Sequence, residues 1–213
     1  MTDAYFTRTF ADVPVMGIFR RQGLARTLEL AEAAWAVGVR IMEVPVMGPE
    51  DLPVLHAVVE AGRARGVDVG AGTIISADQV GAVAEAGAAF TVAPGLDPEV
   101  AAASKAHGLP HIPGVATGSE IQAALKQGLT WLKAFPAERL GPAWIRHQSG
   151  PFPQVRFVAT GGVTPDTAGD FLAAGCRVVA LGSAFDNEEQ ITTVGALLQG
   201  RLSVRHNRVS AAV

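Results

Sequence analysis

"VRFVATGGVTPDTAGDFLAAGCRVVALGS", residues 155–183, is the stretch whose reading decides the fold. An apolar run at 155–159 ends in the pair Gly161–Gly162. Thr164 then stands where a helix N-cap belongs, and Pro165 occupies the first turn, where a missing N–H costs nothing. A helical pattern fills 166–174, and Gly175 follows it as a C-cap glycine does. A second apolar run, 177–181, closes on Gly182 and Ser183. Strand, corner, helix, stop and strand make one βα crossover, and such a crossover joins parallel strands.

The same unit recurs along the chain. Strands are predicted at 13–19, 40–44, 67–71, 89–93, 110–112, 130–134, 155–159 and 177–181, and helical stretches at 24–36, 76–86, 97–107 and 166–174. Ser76 and Asp97 repeat the N-cap of Thr164, and Pro98 repeats Pro165. Gly38, Gly66, Gly87, Gly108 and Gly128 repeat Gly175. The junction reappears as "AVGVR", "EAGAAF", "KQGLTW" and "AAGCRV". Eight such units in 213 residues predict an α/β fold, a single (β/α)8 TIM barrel with its core over about 10–200. The alternative is an open doubly wound sheet, but no GxGxxG follows the first strand. Residues 202–213 lose periodicity and read as a loose tail.

Apolar residues make up 49% and charged residues 17%, so the interior is large and part of the surface is expected to lie under other subunits. A net charge of -3 without basic runs argues against nucleic acid and membrane partners. No apolar run reaches the ~20 residues of a membrane span. The N-terminus lacks the apolar segment of a signal peptide, which predicts a cytoplasmic protein. The single Cys176 excludes an internal disulfide and reads as a small core residue.

Barrel active sites form at the C-terminal ends of the strands, so polar residues there carry information. In "TWLKAFPAE" (130–138), Lys133 sits among apolar side chains. A buried lysine is a source of neutral amine, which can attack a ketone to form an imine. The structural alternative is a lysine snorkelling outward or paired with a carboxylate. Glu43 is a lone carboxylate in "RIMEVPV", suited to general acid–base work or to a plain ion pair with Lys133 or Arg20. Arg20 closes strand one and could grip a carboxylate with two hydrogen bonds, or simply be solvated. Three glycine corners point to phosphate held by backbone N–H groups: "VGAGT" (69–73), "ATGGV" (159–163) and "LGS" (181–183). Gly161, Gly162, Gly182 and Ser183 fit that use best. His111 reads as a core or loop histidine, and His56, His107, His147 and His206 show no metal-ligand spacing.

"VGAGT", "APGLDPEV", "IPGVATGSEI", "LKAFPAE", "GPFPQVRFVATGGV" and "ALGS" resemble, in register over about 13–185, the class I 2-keto-3-deoxy-6-phosphogluconate (KDPG) and 4-hydroxy-2-oxoglutarate aldolases, with their phosphogalactonate relatives. The resemblance implies a metal-free, cofactor-free trimeric barrel. Its substrate is a phosphorylated keto sugar acid, cleaved to pyruvate and glyceraldehyde 3-phosphate. It implies that Lys133 is the imine lysine, Glu43 the acid–base residue, and Thr73 a contact to the pyruvate end. Pro94, Thr160, Gly161, Gly162, Gly182 and Ser183 match further substrate-binding positions, and Arg20 a strand-one arginine. One departure stands out. "EVPVMGPE" puts Met47 where the gluconate branch has a carboxylate-gripping arginine, and with "RLGPAWI" looks closer to the galactonate branch. "FPAE", "GPFPQVRF" and Thr160 look like the gluconate branch. Two rivals remain: a non-catalytic phosphate-binding barrel, and a phosphosugar isomerase using acid–base chemistry without an imine.

Overall fold

The computed structural model describes residues 2–185 and 188–210. In chain order they form α1 (Thr2–Thr9), β1 (Val15–Ile18), α2 (Leu24–Ala36), β2 (Ile41–Pro45), α3 (Leu52–Arg63), β3 (Asp68–Gly72), α4 (Ala77–Glu85), β4 (Thr91–Val92), α5 (Pro98–Ala106), β5 (His111–Ile112), β6 (Gly114–Val115), α6 (Gly118–Lys126), β7 (Trp131–Ala134), α7 (Ala137–Ser149), β8 (Arg156–Ala159), α8 (Pro165–Ala173), β9 (Val178–Leu181) and α9 (Glu188–Ser210). All strand pairs are parallel, in the order β5-β4-β3-β2-β1-β9-β8-β7-β6.

The fifth of the eight expected strands is split. Pro113 has no N–H to give, so the ladder breaks into β5 against β4 and β6 against β7. The segment still binds both neighbours. Ala93 N donates to Ile112 O (3.0 Å), Gly114 N to Gly95 O (3.1 Å) and Lys133 N to Pro113 O (2.8 Å). Nine short strands therefore occupy eight positions, and the barrel closes through this segment.

Caps set the helix ends as the sequence predicts. The Asp97 carboxylate accepts from Glu99 N (2.8 Å) and Val100 N (3.4 Å), and Thr164 Oγ1 accepts from Thr167 N (3.3 Å). The six glycines predicted to end helices all have positive φ, between 66° and 111°. α7 breaks at Gly141 (φ 74°, ψ 163°), and Pro142 restarts it. α9 runs on to Ser210, so 202–210 is helical where a loose tail was expected; 211–213 lie outside the described residues.

Strand alternation sorts the core into two clusters. Val15, Val44, Leu132, Phe157 and Val179 pack outward on the helices. Met16, Ile41, Phe90, Ile112, Trp131, Val158 and Val178 fill the barrel. Glu43 lies two residues after Ile41, and Lys133 two after Trp131, so both charged side chains face inward. The period of two rules out the outward, snorkelling placement of Lys133.

The sequence reading did not foresee α1, which closes the N-terminal end of the barrel. Phe6 is fully buried, edge-on to Phe90 (centroids 5.6 Å apart), and Phe10 packs at 5.3 Å on Trp131. Tyr5 Oη donates to Asp68 Oδ2 (2.7 Å), and burial together with that carboxylate raises the phenol's pKa. Asp3 accepts from Thr130 and Arg156. Burial pushes its carboxyl up, but these contacts outweigh it and hold the pKa below its ordinary value.

His111 faces out of the barrel toward α5. Its Nδ1 lies 2.8 Å from Thr91 Oγ1, which lies 2.9 Å from Ser104 Oγ. Burial lowers the imidazole pKa from 6.5 to about 4. The folded protein therefore binds fewer protons here than the unfolded chain between those values, and stability falls with pH across that window. Between pH 7 and pH 5, wild type should lose about 2 kcal/mol more than His111→Gln, as urea unfolding would read it. Parallel losses in the two proteins would contradict a neutral buried imidazole.

Candidate active site

β7 carries Lys133 and β2 carries Glu43, 2% and 0% exposed, across the barrel interior. Lys133 Nζ lies 3.9 Å from Glu43 Oε1, too far for a hydrogen bond. Neither carboxylate oxygen has a hydrogen-bond partner among the described residues. A buried carboxylate left in that state is expensive, and structural ion pairs are normally better satisfied. The pair is an ion pair at 3.9 Å without a hydrogen bond between its partners. Nζ also sits 4.9 Å from the centroid of the Phe135 ring.

The Glu43 side chain lies across β3. A Cβ built at Gly72 would fall 1.9 Å from Glu43 Oε1 and 2.4 Å from its Cδ. Only glycine lets the carboxylate lie there. The next residue, Thr73, has φ 61°. A β-branched residue in the left-handed region is strained, and such strain collects at functional sites. The corner "VGAGT" therefore serves the carboxylate. The expected phosphate role is corrected for this corner, because β3 lies beside β2 and away from the other two corners.

Those two corners do meet. Arg20, Thr160, Gly161, Gly162, Gly182 and Ser183 line one cavity of about 320 Å³ at the C-terminal ends of β1, β8 and β9. Gly161 (φ 93°) and Gly162 (φ 75°) are consecutive left-handed residues, a conformation that supports anion-binding turns. A Cβ would lie 3.0 Å from the Phe135 ring at the first and 2.3 Å from Glu138 Oε2 at the second. Thr160 is 3% exposed and its Oγ1 has no partner among the described residues. Lys133 and Glu43 do not line this cavity. Phe135 connects the two regions, lining the cavity while its ring meets Lys133 Nζ.

Arg20 is exposed at the rim, with Nη1 3.6 Å from Met47 Sδ. The two residues singled out at the ends of β1 and β2 are therefore neighbours. Pro94 and Thr73 are half-buried and outside the cavity lining. The Pro94 carbonyl crowds Gly114, where a Cβ would come within 2.1 Å. Cys176 is buried, and burial pushes its thiol up to about 12. His56, His107 and His147 are exposed, and the His206 side chain lies outside the described residues. Among the described residues no three His, Cys, Asp or Glu gather as metal ligands. No helix among them is long and apolar enough to cross a membrane.

A closed parallel barrel with a buried lysine–carboxylate pair, beside an anion-suited glycine cavity at its C-terminal mouth, has the layout of a barrel enzyme for phosphorylated small molecules. The family model "KDPG and KHG aldolase" matches residues 7–196. The KHG/KDPG aldolase of Escherichia coli is 36% identical over 161 residues, 75% of each chain. The 2-dehydro-3-deoxy-6-phosphogalactonate aldolase of the same organism is 31% identical over 172 residues, 80% of this chain and 83% of that one. The KDPG aldolase of Legionella pneumophila, solved with pyruvate captured as a covalent carbinolamine intermediate, superposes with a TM-score of 0.77 at 32% identity, over 90% of this chain and 95% of that one. The chain belongs to the KDPG and KHG aldolase family.

Proposed function

We propose that this chain is a lysine-dependent, pyruvate-yielding aldolase that cleaves 2-keto-3-deoxy-6-phosphogluconate to pyruvate and glyceraldehyde 3-phosphate. The observation that carries the proposal is the inward Lys133–Glu43 pair at 3.9 Å, buried and without hydrogen bonds to the carboxylate. A carbinolamine is what an amine makes on adding to a ketone, so the pyruvate adduct of the Legionella pneumophila relative supports the same chemistry here.

In this reading Lys133 Nζ adds to the C2 ketone, and loss of water, assisted by Glu43, gives the protonated imine. Glu43, working through a water, takes the proton of the C4 hydroxyl. The C3–C4 bond breaks, its electrons pass into the imine, and the aldehyde departs. The resulting enamine is protonated at C3 and hydrolysed to pyruvate and free Lys133. The imine is the electron sink, so the cycle calls on no metal or other cofactor. Thr73 and Pro94 border the pyruvate end. Thr160, Gly161, Gly162, Gly182 and Ser183 receive the phosphate. The family resemblance extends the proposal to a homotrimer in the cytoplasm, with no nucleic-acid partner.

Met47 and the similarity to the phosphogalactonate aldolase favour a second reading with the opposite C4 configuration. Assaying the two epimeric phospho-sugar acids side by side separates the readings. A kcat/KM at least tenfold higher for the gluconate-derived acid is expected, and the reverse ratio overturns the choice. A non-catalytic barrel would cleave neither.

Among the described residues, Arg20 is the one arginine lining the cavity. Arg20→Ala should raise KM for the substrate acid tenfold or more with little change in kcat, on the order of the ~1.5–3 kcal/mol of a charge-assisted contact. An unchanged KM refutes a substrate-binding role.

A further inference from the structure

Arg20 lines the glycine cavity, yet among the described residues it pairs with no carboxylate. Its side-chain partner there is Met47, whose Sδ lies 3.6 Å from Nη1 in a solvent-exposed contact. The turn that follows β2 fixes the backbone at this point. Met47 N and Gly48 N both donate to Asp51 Oδ2, at 2.8 and 3.3 Å. A thioether is a weak acceptor, so the guanidinium keeps most of its donor capacity for an anion in the cavity. A sulfoxide is a strong acceptor, and a hydrogen bond to it from a guanidinium is charge-assisted. Oxidation of Met47 would thus turn a loose contact into a firm one and draw Arg20 from the cavity. Met47 is half-buried, whereas Met16 and Met42 are fully buried and Met1 lies outside the described residues. Cys176 is buried, and its raised pKa leaves little thiolate to meet a peroxide. Among the described sulfur atoms, that of Met47 is therefore the one open to attack.

We propose that Met47 is a peroxide-sensitive modification site that weakens anion binding in the glycine cavity through Arg20. Hydrogen peroxide transfers one oxygen to Sδ. The O–O bond breaks and an S–O bond forms; the thioether is oxidised by two electrons to the sulfoxide, and the peroxide is reduced to water. The sulfoxide oxygen then accepts from the Arg20 guanidinium. The inference rests on reading this cavity as the phosphate site, and it does not depend on imine chemistry at Lys133.

Glycerol 3-phosphate is a suitable probe, since it has no ketone and cannot form an imine with Lys133. The full chain is treated with hydrogen peroxide, catalase removes the excess, and peptide mass mapping measures the sulfoxide at Met47. Calorimetric titration then reads the Kd of the probe. Treated wild type should bind at least threefold more weakly, and methionine sulfoxide reductases acting on both epimers should restore the original affinity. The same treatment should leave Met47→Leu and Arg20→Ala each at its own untreated Kd. An unchanged Kd in wild type with Met47 fully oxidised overturns the switch, and so does an equal loss in Met47→Leu. A loss in Arg20→Ala as large as that in wild type overturns the route through Arg20. A Met47 that stays unoxidised, or a cavity that does not bind the probe before treatment, overturns the site. Absence of a borohydride-trapped pyruvate adduct on Lys133 in the same preparations would count against the aldolase reading alone.

Discussion

Lys133→Ala should lower kcat for aldol cleavage by about four orders of magnitude or more, on the scale seen when a covalent nucleophile is removed. The side chain is buried against Phe135 and Glu43, and no other lysine in a described position lies on a barrel strand. Lys133→Arg should fare no better. It keeps the charge, but a guanidinium stays protonated and cannot form the imine. Circular dichroism and gel filtration would establish that each variant is folded. Substantial turnover by either folded variant would mean that bond cleavage proceeds without an imine at this position, which contradicts the role given to Lys133.

The second large effect is expected at a residue with no functional group. Gly72→Ala places a methyl carbon 1.9 Å from the position now held by Glu43 Oε1. The backbone there is tied into the β2–β3 ladder, where Pro45 pairs with Gly72, so the carboxylate must give way. Displacing a catalytic group by about an ångström typically costs on the order of a hundredfold in rate. Gly72→Ala should therefore lower kcat about a hundredfold, with pyruvate still trapped by borohydride on Lys133 but more slowly, because Glu43 assists the dehydration that forms the imine. A variant with wild-type kcat would show that the position of Glu43 does not matter to the reaction.

Much of the barrel is legible in the sequence because each βα unit carries its own punctuation. Thr164, Pro165 and Gly175 mark one helix, and Asp97, Pro98 and Gly108 another, each by a local backbone requirement. The split of the fifth strand is a consequence of Pro113 that "PHI" alone does not convey, because it depends on which neighbour each half can bond. α1 was missed since eight largely polar residues carry little periodic signal, although the spacing of Phe6 and Phe10 was a clue to one apolar face. Lys133 and Glu43 were legible as charges inside apolar runs. Their meeting was not, for it requires both strands to present the same parity to the barrel interior. Gly72 is invisible to any local reading. Its reason is a carboxylate arriving from the neighbouring strand. The strain at Thr73 is likewise a property of the folded backbone, and the Arg20–Met47 contact depends on two loops that converge only in the closed barrel.

The most direct test of the account is to incubate the protein with pyruvate, add borohydride and map the peptides by mass. The account predicts one reduced pyruvate adduct, on the peptide containing Lys133, and none in Lys133→Ala. No adduct on the folded wild-type protein, or an adduct on another lysine, would contradict it.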